Sequence, residues 1–532
     1  MKFEGQNIIL RISDLTISGK NNEKITDGLS FDIERFKITG LSGSSGSGKT
    51  LTALSVLGLT RYLRDISISG TILFNDKTGW KDLTSFNEKE LTAIRGKKIA
   101  YIMQDPLTSF DPNKKCGSQY WEVSGGIRSK EVLNNILQKM NLEKRILDAY
   151  PHQLSGGELQ RFAIAIAVSS DPDLLIADEP TTNLDANLTK SILELLKEIN
   201  REKSISILLI SHDIKALRSV CDNIAIIHNG KLAEYRTNAD FFRNPASEYS
   251  KQLTDAFFNF SLPEKPSKEA GKHLNILSLS CISKTFKNSF RIPFITRNKN
   301  VNALKCISFN LGPGETLGII GESGSGKTTI ARILVSLNTA DDGTIMLCGR
   351  NVTRPNGIIK AFIRNRIQIV FQNPVTSLNR IIKVKKLLNE PFEISSYKKN
   401  TEKKIDPEKL KEQLGIDNAM IERYPDQVSG GEAQRIALSR ALALGPEIIV
   451  LDESLSALDR ISQNEILKLL NEIQVKYRTS YIFITHDIGL AAIFCDRMLI
   501  LKQGRIIEQG VAGDIFDHPT DPYTKSLIYG NY

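Results

Sequence analysis

The sequence predicts two α/β domains in tandem, each built on a mainly parallel sheet with helices on both faces. Three observations predict it. The chain has 532 residues, and single cores stop growing near roughly 250–300 residues. Four short motifs occur twice, in one order. Within each copy, short apolar strands alternate with helical stretches, the pattern of a parallel sheet.

The repeat comes first. Gly43-Ser44-Ser45-Gly46-Ser47-Gly48-Lys49-Thr50 returns as Gly321-Glu322-Ser323-Gly324-Ser325-Gly326-Lys327-Thr328. Ser155-Gly156-Gly157-Glu158 returns as Ser429-Gly430-Gly431-Glu432, Asp178-Glu179 as Asp452-Glu453, and His212-Asp213 as His486-Asp487. The offset is 278 from Lys49 to Lys327 and 274 from Ser155 to Ser429, Asp178 to Asp452 and His212 to His486. Four motifs at one nearly constant offset mean duplication of a whole domain. Residues 261–272 are polar, broken by Pro263 and Pro266, and poor in large apolar side chains, which is a linker composition. The expected boundaries are a first domain over 1–257, a linker over 258–273 and a second domain over 274–532.

The elements follow in the same order in both copies. Residues 38–41 and 316–320 are short apolar strands that run into the glycine-rich segments, and 50–57 and 328–335 are the helices that leave them. A mostly helical stretch follows, near 115–165 and 385–443. Residues 174–177 and 205–210, then 448–451 and 481–484, are apolar runs of strand length and read as buried strands. The second domain opens with a strand-like run at 274–279.

Composition narrows the class. Apolar content of 41% and charged content of 24% are those of an ordinary globular protein. No apolar run nears the roughly 20 residues of a membrane-spanning helix, and Met1-Lys2-Phe3-Glu4-Gly5 does not open a secretion signal. The six cysteines (Cys116, Cys221, Cys281, Cys306, Cys348, Cys495) are scattered without a CxxC pair, so six reduced thiols are expected, neither bridged nor metal-bound. A net charge of +10 favours anionic partners without choosing among them, and no Lys/Arg block reads as a nucleic-acid tail.

The glycine-rich segments carry the first chemistry. GxxxxGK[ST] between a strand and a helix is a phosphate cradle. Glycine lets the backbone curl so that several N–H groups point at phosphate oxygens, and the helix adds its positive end. Lys49 and Lys327 are expected to reach the outer phosphates, and Thr50 and Thr328 to offer hydroxyls to Mg²⁺. The nucleotide-binding set is Gly43, Ser44, Ser45, Gly46, Ser47, Gly48, Lys49 and Thr50, with Gly321, Glu322, Ser323, Gly324, Ser325, Gly326, Lys327, Thr328 and Thr329 in the second copy. Asp178-Glu179 and Asp452-Glu453 each end an apolar strand, where ligands of such sheets bind. The aspartates are expected to hold Mg²⁺ through water, and the glutamates to polarise the water that attacks the terminal phosphate.

Ser-Gly-Gly-Glu-x-Gln-Arg just upstream of the acid pair resembles the signature of ABC ATPases, over nearly the whole chain and in both halves. The resemblance implies two phosphate-loop cassettes, each with a helical insert and an antiparallel β subdomain. It implies that Ser155, Gly156 and Gly157 cap a nucleotide held by the other half, and Ser429, Gly430 and Gly431 the converse. Gln104 and Gln372 match the glutamine that senses Mg²⁺ and water. His212 and His486 match the histidine that bonds the terminal phosphate, and Asp185 and Asp459 the aspartate that crosses the dimer. Two composite sites are therefore expected. Site one joins Lys49, Thr50, Gln104, Asp178, Glu179 and His212 to the second signature. Site two joins Lys327, Thr328, Gln372, Asp452, Glu453 and His486 to the first.

Two departures suggest unequal sites. Phe286 matches the family's adenine-stacking aromatic, whereas the first half has Leu15-Thr16-Ile17-Ser18-Gly19 there. Ser454-Leu455 stands where the first half keeps Pro180-Thr181, and is expected to loosen the turn that holds Glu453.

The ending narrows the family. His518-Pro519-Thr520-Asp521-Pro522-Tyr523-Thr524 resembles the HPxHPYT ending of ATPase subunits that serve dipeptide, oligopeptide and nickel importers, including fused microcin C and glutathione types. Asn244-Pro245-Ala246-Ser247-Glu248-Tyr249-Ser250 is a decayed copy. The resemblance implies ATP and Mg²⁺ as cofactors and two transmembrane permease subunits and an extracytoplasmic substrate-binding protein as partners. It implies a peripheral place on the cytoplasmic face of the inner membrane, with no nucleic acid and no iron–sulfur cluster. Permease contact is expected near 104–121 and 372–390, so charge at Trp121 or Leu378 should uncouple transport. The alternatives are a nickel or metallophore importer ATPase and a ribosome-associated translation factor of the ABC-F type. The latter has a long charged helical linker, which this sequence lacks.

Overall fold

The computed structural model describes all residues except 1–6, 45, 77, 124–129, 183, 185, 264–274, 287–300, 323, 373, 394–405, 456–457 and 530–532. Ser45, Ser323, Asp185, Asn373 and most of the expected linker therefore lie outside the described residues. The chain divides into two compact units, Met1–Asn259 and Phe260–Tyr532. Phe260 and Leu262 pack against the second unit's core, and the helix Glu248–Phe258 closes the first unit.

The first unit holds strands β1 (Ile8–Ser18), β2 (Lys24–Glu34), β3 (Ile38–Gly43), β4 (Ser67–Asp76), β5 (Gly79–Asp82), β6 (Ile99–Ile102), β7 (Leu174–Asp178), β8 (Ser206–Ile210), β9 (Asn223–His228) and β10 (Lys231–Thr237). They form two sheets, a four-stranded one ordered β2-β1-β4-β5 and a six-stranded one ordered β10-β9-β3-β8-β7-β6. The first is antiparallel. The second is parallel except for β10 at its edge. β3, β7 and β8 are buried at every position, as unbroken apolar runs must be when helices cover both faces of a parallel sheet. The core joins the two sheets: Leu10, Ile12, Leu29 and Phe74 of one pack with Leu41, Ile176, Leu208 and Ala225 of the other.

The second unit repeats this plan with β11 (Leu277–Phe286), β12 (Val301–Leu311), β13 (Thr316–Ile320), β14 (Asp342–Leu347), β15 (Arg350–Asn351), β16 (Ile367–Val370), β17 (Ile448–Asp452), β18 (Ser480–Thr485), β19 (Arg497–Lys502) and β20 (Arg505–Val511). The sheet orders are β12-β11-β14-β15, which matches the first unit strand for strand, and β16-β17-β18-β13-β19-β20, which is the first unit's order read from the opposite end. The mainly parallel sheet, helical insert and antiparallel β sheet are all present in each unit.

One expectation is corrected here. Cys281 and Cys306 form a disulfide across β11 and β12, 25 residues apart in sequence, so the six cysteines are not all free thiols. Spacing arithmetic detects close pairs, whereas this pair is made by antiparallel register. Ile282 faces Ile307 with the register shifted on both sides of that pair, and Cys281 and Cys306 each precede one of its two members. Cys116, Cys221, Cys348 and Cys495 are not in disulfides.

Candidate functional site

Strand order assembles the site. In the first unit β3, β8, β7 and β6 lie side by side and parallel. Lys49 follows the end of β3, His212 that of β8, Asp178 and Glu179 that of β7, and Gln104 that of β6. Residues up to 163 positions apart (49 to 212) thus meet at one sheet edge, the edge at which α/β folds bind ligands. In the second unit β13, β18, β17 and β16 do the same for Lys327, His486, Asp452 with Glu453, and Gln372.

The phosphate loops depend on their glycines. A Cβ on Gly43 would sit 1.9 Å from the Ile227 carbonyl oxygen, and one on Gly321 2.2 Å from that of Leu501. Gly48 and Gly326 take φ of 92° and 111° at the starts of the helices Lys49–Val56 and Lys327–Leu334, a left-handed region that a side chain disfavours. The Lys49 ammonium donates to the carbonyls of Gly43 (3.0 Å) and Ser44 (2.8 Å). Lys327 likewise donates to Gly321 and Glu322. Each buried ammonium is held within its own loop, and burial pushes Lys327 below its ordinary pKa.

The acid pairs divide their roles by environment. Asp178 is fully buried and accepts from the Tyr101 hydroxyl at 2.9 Å. Burial raises its pKa against the pull of the Tyr101 and Thr50 hydroxyls. Its Oδ1 is buried without a hydrogen-bond partner among the described residues. Asp452 is pushed up to about 6 by burial and by Glu453, and accepts from the Thr328 hydroxyl at 3.4 Å. Buried polar atoms are nearly always satisfied, so the Asp178 Oδ1 is an opening for a ligand. Thr50, Asp178 and Gln104, and likewise Thr328, Asp452 and Gln372, offer hard oxygen donors of the kind Mg²⁺ takes.

Glu179 is pinned from several sides. It accepts from Gln104 Nε2 (2.9 Å) and Thr182 Oγ1 (2.9 Å), and His212 Nδ1 lies 3.4 Å away. Burial alone would raise its pKa, but His212, Thr182 and Lys49 outweigh it and hold the carboxyl below its ordinary value. Glu453 accepts from Gln372 Nε2 at 2.8 Å, with His486 Nδ1 at 3.8 Å and Lys327 Nζ at 3.8 Å, and its pKa is lowered despite burial by the same kind of partners. The two histidines are lowered by burial but raised further by these carboxylates, and end above their ordinary values. Each glutamate takes left-handed backbone, φ 47° at Glu179 and 46° at Glu453, with its N–H bonded to Ile210 and Ile484. The turn after β17 thus keeps the backbone of the turn after β7, although Ser454 replaces Pro180 and its buried hydroxyl has no partner among the described residues.

The signature serines cap helices. Ser155 accepts from the Glu158 N–H at 3.3 Å while its own N–H donates to Glu158 Oε2 at 2.9 Å, starting the helix Gly156–Ser169. Ser429 and Glu432 repeat this capping box at 3.2 and 2.7 Å, starting the helix Gly430–Leu442. Ser155, Gly156, Ser429 and Gly430 are exposed, and a Cβ on Gly156 would meet open space. Each signature is therefore an uncovered helix start, open to an anion. Phe286 ends β11, half exposed, and pairs with Val301. Two residues on, the Ala303 carbonyl lies against Gly326, so the phosphate loop abuts this end of the antiparallel sheet. Asp459 caps the helix Arg460–Tyr477.

Two side chains fall where sequence reading did not put them. Tyr101 touches Asp178, a contact that follows only from the pairing of β6 with β7. Leu378, expected at a permease contact, is 3% exposed and belongs to the core cluster that also holds Val384 and Leu387. Among the described residues, an apolar side chain which that segment presents outward is Ile381, 86% exposed.

Two phosphate loops, each with a buried aspartate, a pinned glutamate, a glutamine and a histidine at one sheet edge, define a nucleoside-triphosphate-hydrolysing protein with two nucleotide-binding cassettes. The ABC transporter profile matches residues 26–182 and 304–456, and the chain belongs to the ABC transporter family as an ATP-binding ATPase. The peptidoglycan transport ATP-binding protein YejF of Agrobacterium fabrum is 34% identical over 99% of this chain and 97% of its own length. The glutathione import ATP-binding protein GsiA of Pectobacterium atrosepticum is 30% identical over 98% of this chain and 89% of its own. Among solved structures, the archaeal ribosome recycling factor aABCE1, in complex with stalk protein aP1, shares the fold, with a TM-score of 0.58 and 18% identity over 93% of this chain and 88% of that one. Among the described residues no helix is long and apolar enough to cross a membrane.

Proposed function

We propose that this chain is the ATP-hydrolysing subunit of an importer for peptides or peptide-like compounds. The observation that carries the reading is the repeated constellation at the two sheet edges, with relatives over nearly the full chain that serve peptidoglycan transport and glutathione import. ATP sits at both sheet edges, against Lys49, Thr50, Gln104, Asp178, Glu179 and His212 in the first unit and against Lys327, Thr328, Gln372, Asp452, Glu453 and His486 in the second. The signatures Ser155, Gly156 and Gly157, and Ser429, Gly430 and Gly431, cap phosphate; what supports this role is that Ser155 and Gly156, and Ser429 and Gly430, are exposed at the starts of helices.

Thr50 with Asp178, and Thr328 with Asp452, hold Mg²⁺, which when bound draws charge from the outer phosphates. The glutamate carboxylates, kept ionised by histidine and lysine, accept the proton of the attacking water. Gln104 and Gln372 aim those carboxylates through the hydrogen bonds already present. Phe286 stacks on adenine in the second site. The partners are two transmembrane permease subunits, met through the segments after Gln104 and Gln372, and a substrate-binding protein that selects the cargo; the chain works at the cytoplasmic face of the membrane.

The test is uptake in a strain lacking this chain, supplied in turn with oligopeptides, glutathione and nickel. Restored uptake of a peptide-like compound by the wild type but not by Lys49→Ala/Lys327→Ala supports the reading. Restored nickel uptake alone, or co-purification with ribosomes instead of membranes, overturns it.

A further inference from the structure

The C-terminal Pro-Tyr-Thr segment has no part in the constellation above, yet it reaches the phosphate loop. Tyr523, 7% exposed, accepts a hydrogen bond on its hydroxyl from the Glu322 N–H at 3.0 Å. Glu322 is the second residue of the loop, and its carbonyl accepts from the Lys327 ammonium at 2.8 Å. The loop residue that holds the lysine is thus itself held by the tail.

Tyr523 is seated by a built turn. The Glu508 carboxylate on β20 accepts from the Thr520 N–H (2.8 Å), the Thr520 hydroxyl (2.7 Å) and the Asp521 N–H (3.2 Å). Asp521 Oδ1 then accepts from the Tyr523 N–H at 2.7 Å at the start of the helix Pro522–Tyr529. The Lys502 ammonium lies 4.4 Å from the centroid of the tyrosine ring. The first unit builds the same turn: the Glu234 carboxylate accepts from the N–H groups of Ala246 and Ser247 at 2.9–3.1 Å, and Tyr249 stacks on His228 at 4.0 Å. A carboxylate-capped turn that delivers a tyrosine in both copies is more than a helix stop.

We propose that Tyr523 is a positioning residue for the second nucleotide site: by fixing Glu322 it holds the loop and Lys327 in the shape that receives phosphate, so the C-terminal segment tunes ATP affinity. This rests on the reading that Gly321 to Thr328 binds ATP. A loop with one anchoring hydrogen bond removed samples more conformations, and the nucleotide must then supply the ordering.

The experiment uses the full chain in a Lys49→Ala background, so that binding of a fluorescent ATP analogue reports the second site. Tyr523→Phe removes one oxygen and keeps the ring. The expected result is a Kd raised roughly 3- to 10-fold, an unchanged Tm and faster amide exchange at Glu322. An unchanged Kd overturns the proposal. So does a Kd rise that comes with a lowered Tm and is matched by Thr520→Ala, which loosens the tail but leaves the hydroxyl; the tail is then packing only. If the Lys49→Ala parent binds no more analogue than Lys49→Ala/Lys327→Ala, the site reading fails and not the role of Tyr523.

Discussion

The Tyr101 hydroxyl donates to Asp178 Oδ2 at 2.9 Å, and among the described residues of the second unit no tyrosine makes this contact with Asp452. Tyr101 pairs with Ile176, two residues before Asp178; the residue that pairs with Val450, two before Asp452, is Ile369. A hydrogen bond to the ionised form favours it, so the tyrosine helps keep Asp178 ready for a cation. Tyr101→Phe is expected to raise the Mg²⁺ concentration for half-maximal ATPase about 10- to 100-fold, the worth of one hydrogen bond to a charged group. A magnesium titration of the variant checks this; an unmoved midpoint means the ring only packs.

Glu179→Gln and Glu453→Gln each remove a carboxylate that accepts from the neighbouring glutamine. Each is expected to lower kcat by about 10²–10⁴-fold while ATP is still bound. The two losses measured separately decide whether the sites are equal: the missing aromatic in half one predicts unequal losses, and identical ones remove that asymmetry.

Asp452 binds its proton more tightly folded than unfolded, with a folded pKa of about 6 against an ordinary 3.8. Its stabilising contribution is complete below about pH 4 and is lost as pH rises through about 6. Above pH 7 the ionised, buried carboxylate opposes folding by up to about 3 kcal/mol. Asp452→Asn should therefore raise the Tm of the nucleotide-free, magnesium-free chain by several degrees at pH 8, with the gap shrinking toward pH 4. Scanning calorimetry across that range checks the sign. The same variant should lose second-site hydrolysis.

Ser155 has a local duty as a helix cap and a proposed distant one as a phosphate cap. Aspartate caps helices as well as serine does, but it would set a carboxylate against phosphate. Ser155→Asp is expected to leave the unfolding free energy within about 0.5 kcal/mol of wild type and to cut ATPase activity at least tenfold. Equal activity would leave Ser155 with the local duty alone.

Ile381 is 86% exposed beside Leu378, which is buried. Ile381→Asp is expected to abolish uptake in cells while the purified chain hydrolyses ATP at the wild-type rate. Leu378→Asp, in contrast, places a charge in a core and should unfold the second unit.

Much of this was legible in the sequence because the chemistry is local. A glycine loop, a strand-end acid pair and a capped signature each lie within eight consecutive residues, and their order fixes the parallel sheet. What escaped was made by register. Tyr101 meets Asp178 and Cys281 meets Cys306 only through strand pairing, and Tyr523 meets Glu322 across 201 residues. Leu378 misled because its segment alternates buried and exposed apolar residues, and sequence does not say which face turns outward.

Glu179 and Glu453 sit in a backbone shape that suits asparagine or glycine better than glutamate, a strain of about 1 kcal/mol or more at each. Directed evolution for heat tolerance would be drawn to these two codons and would return sturdier proteins that no longer turn over. Their glutamates are held there by selection for work rather than for durability, and a thermostable version of this chain has to find its gains elsewhere.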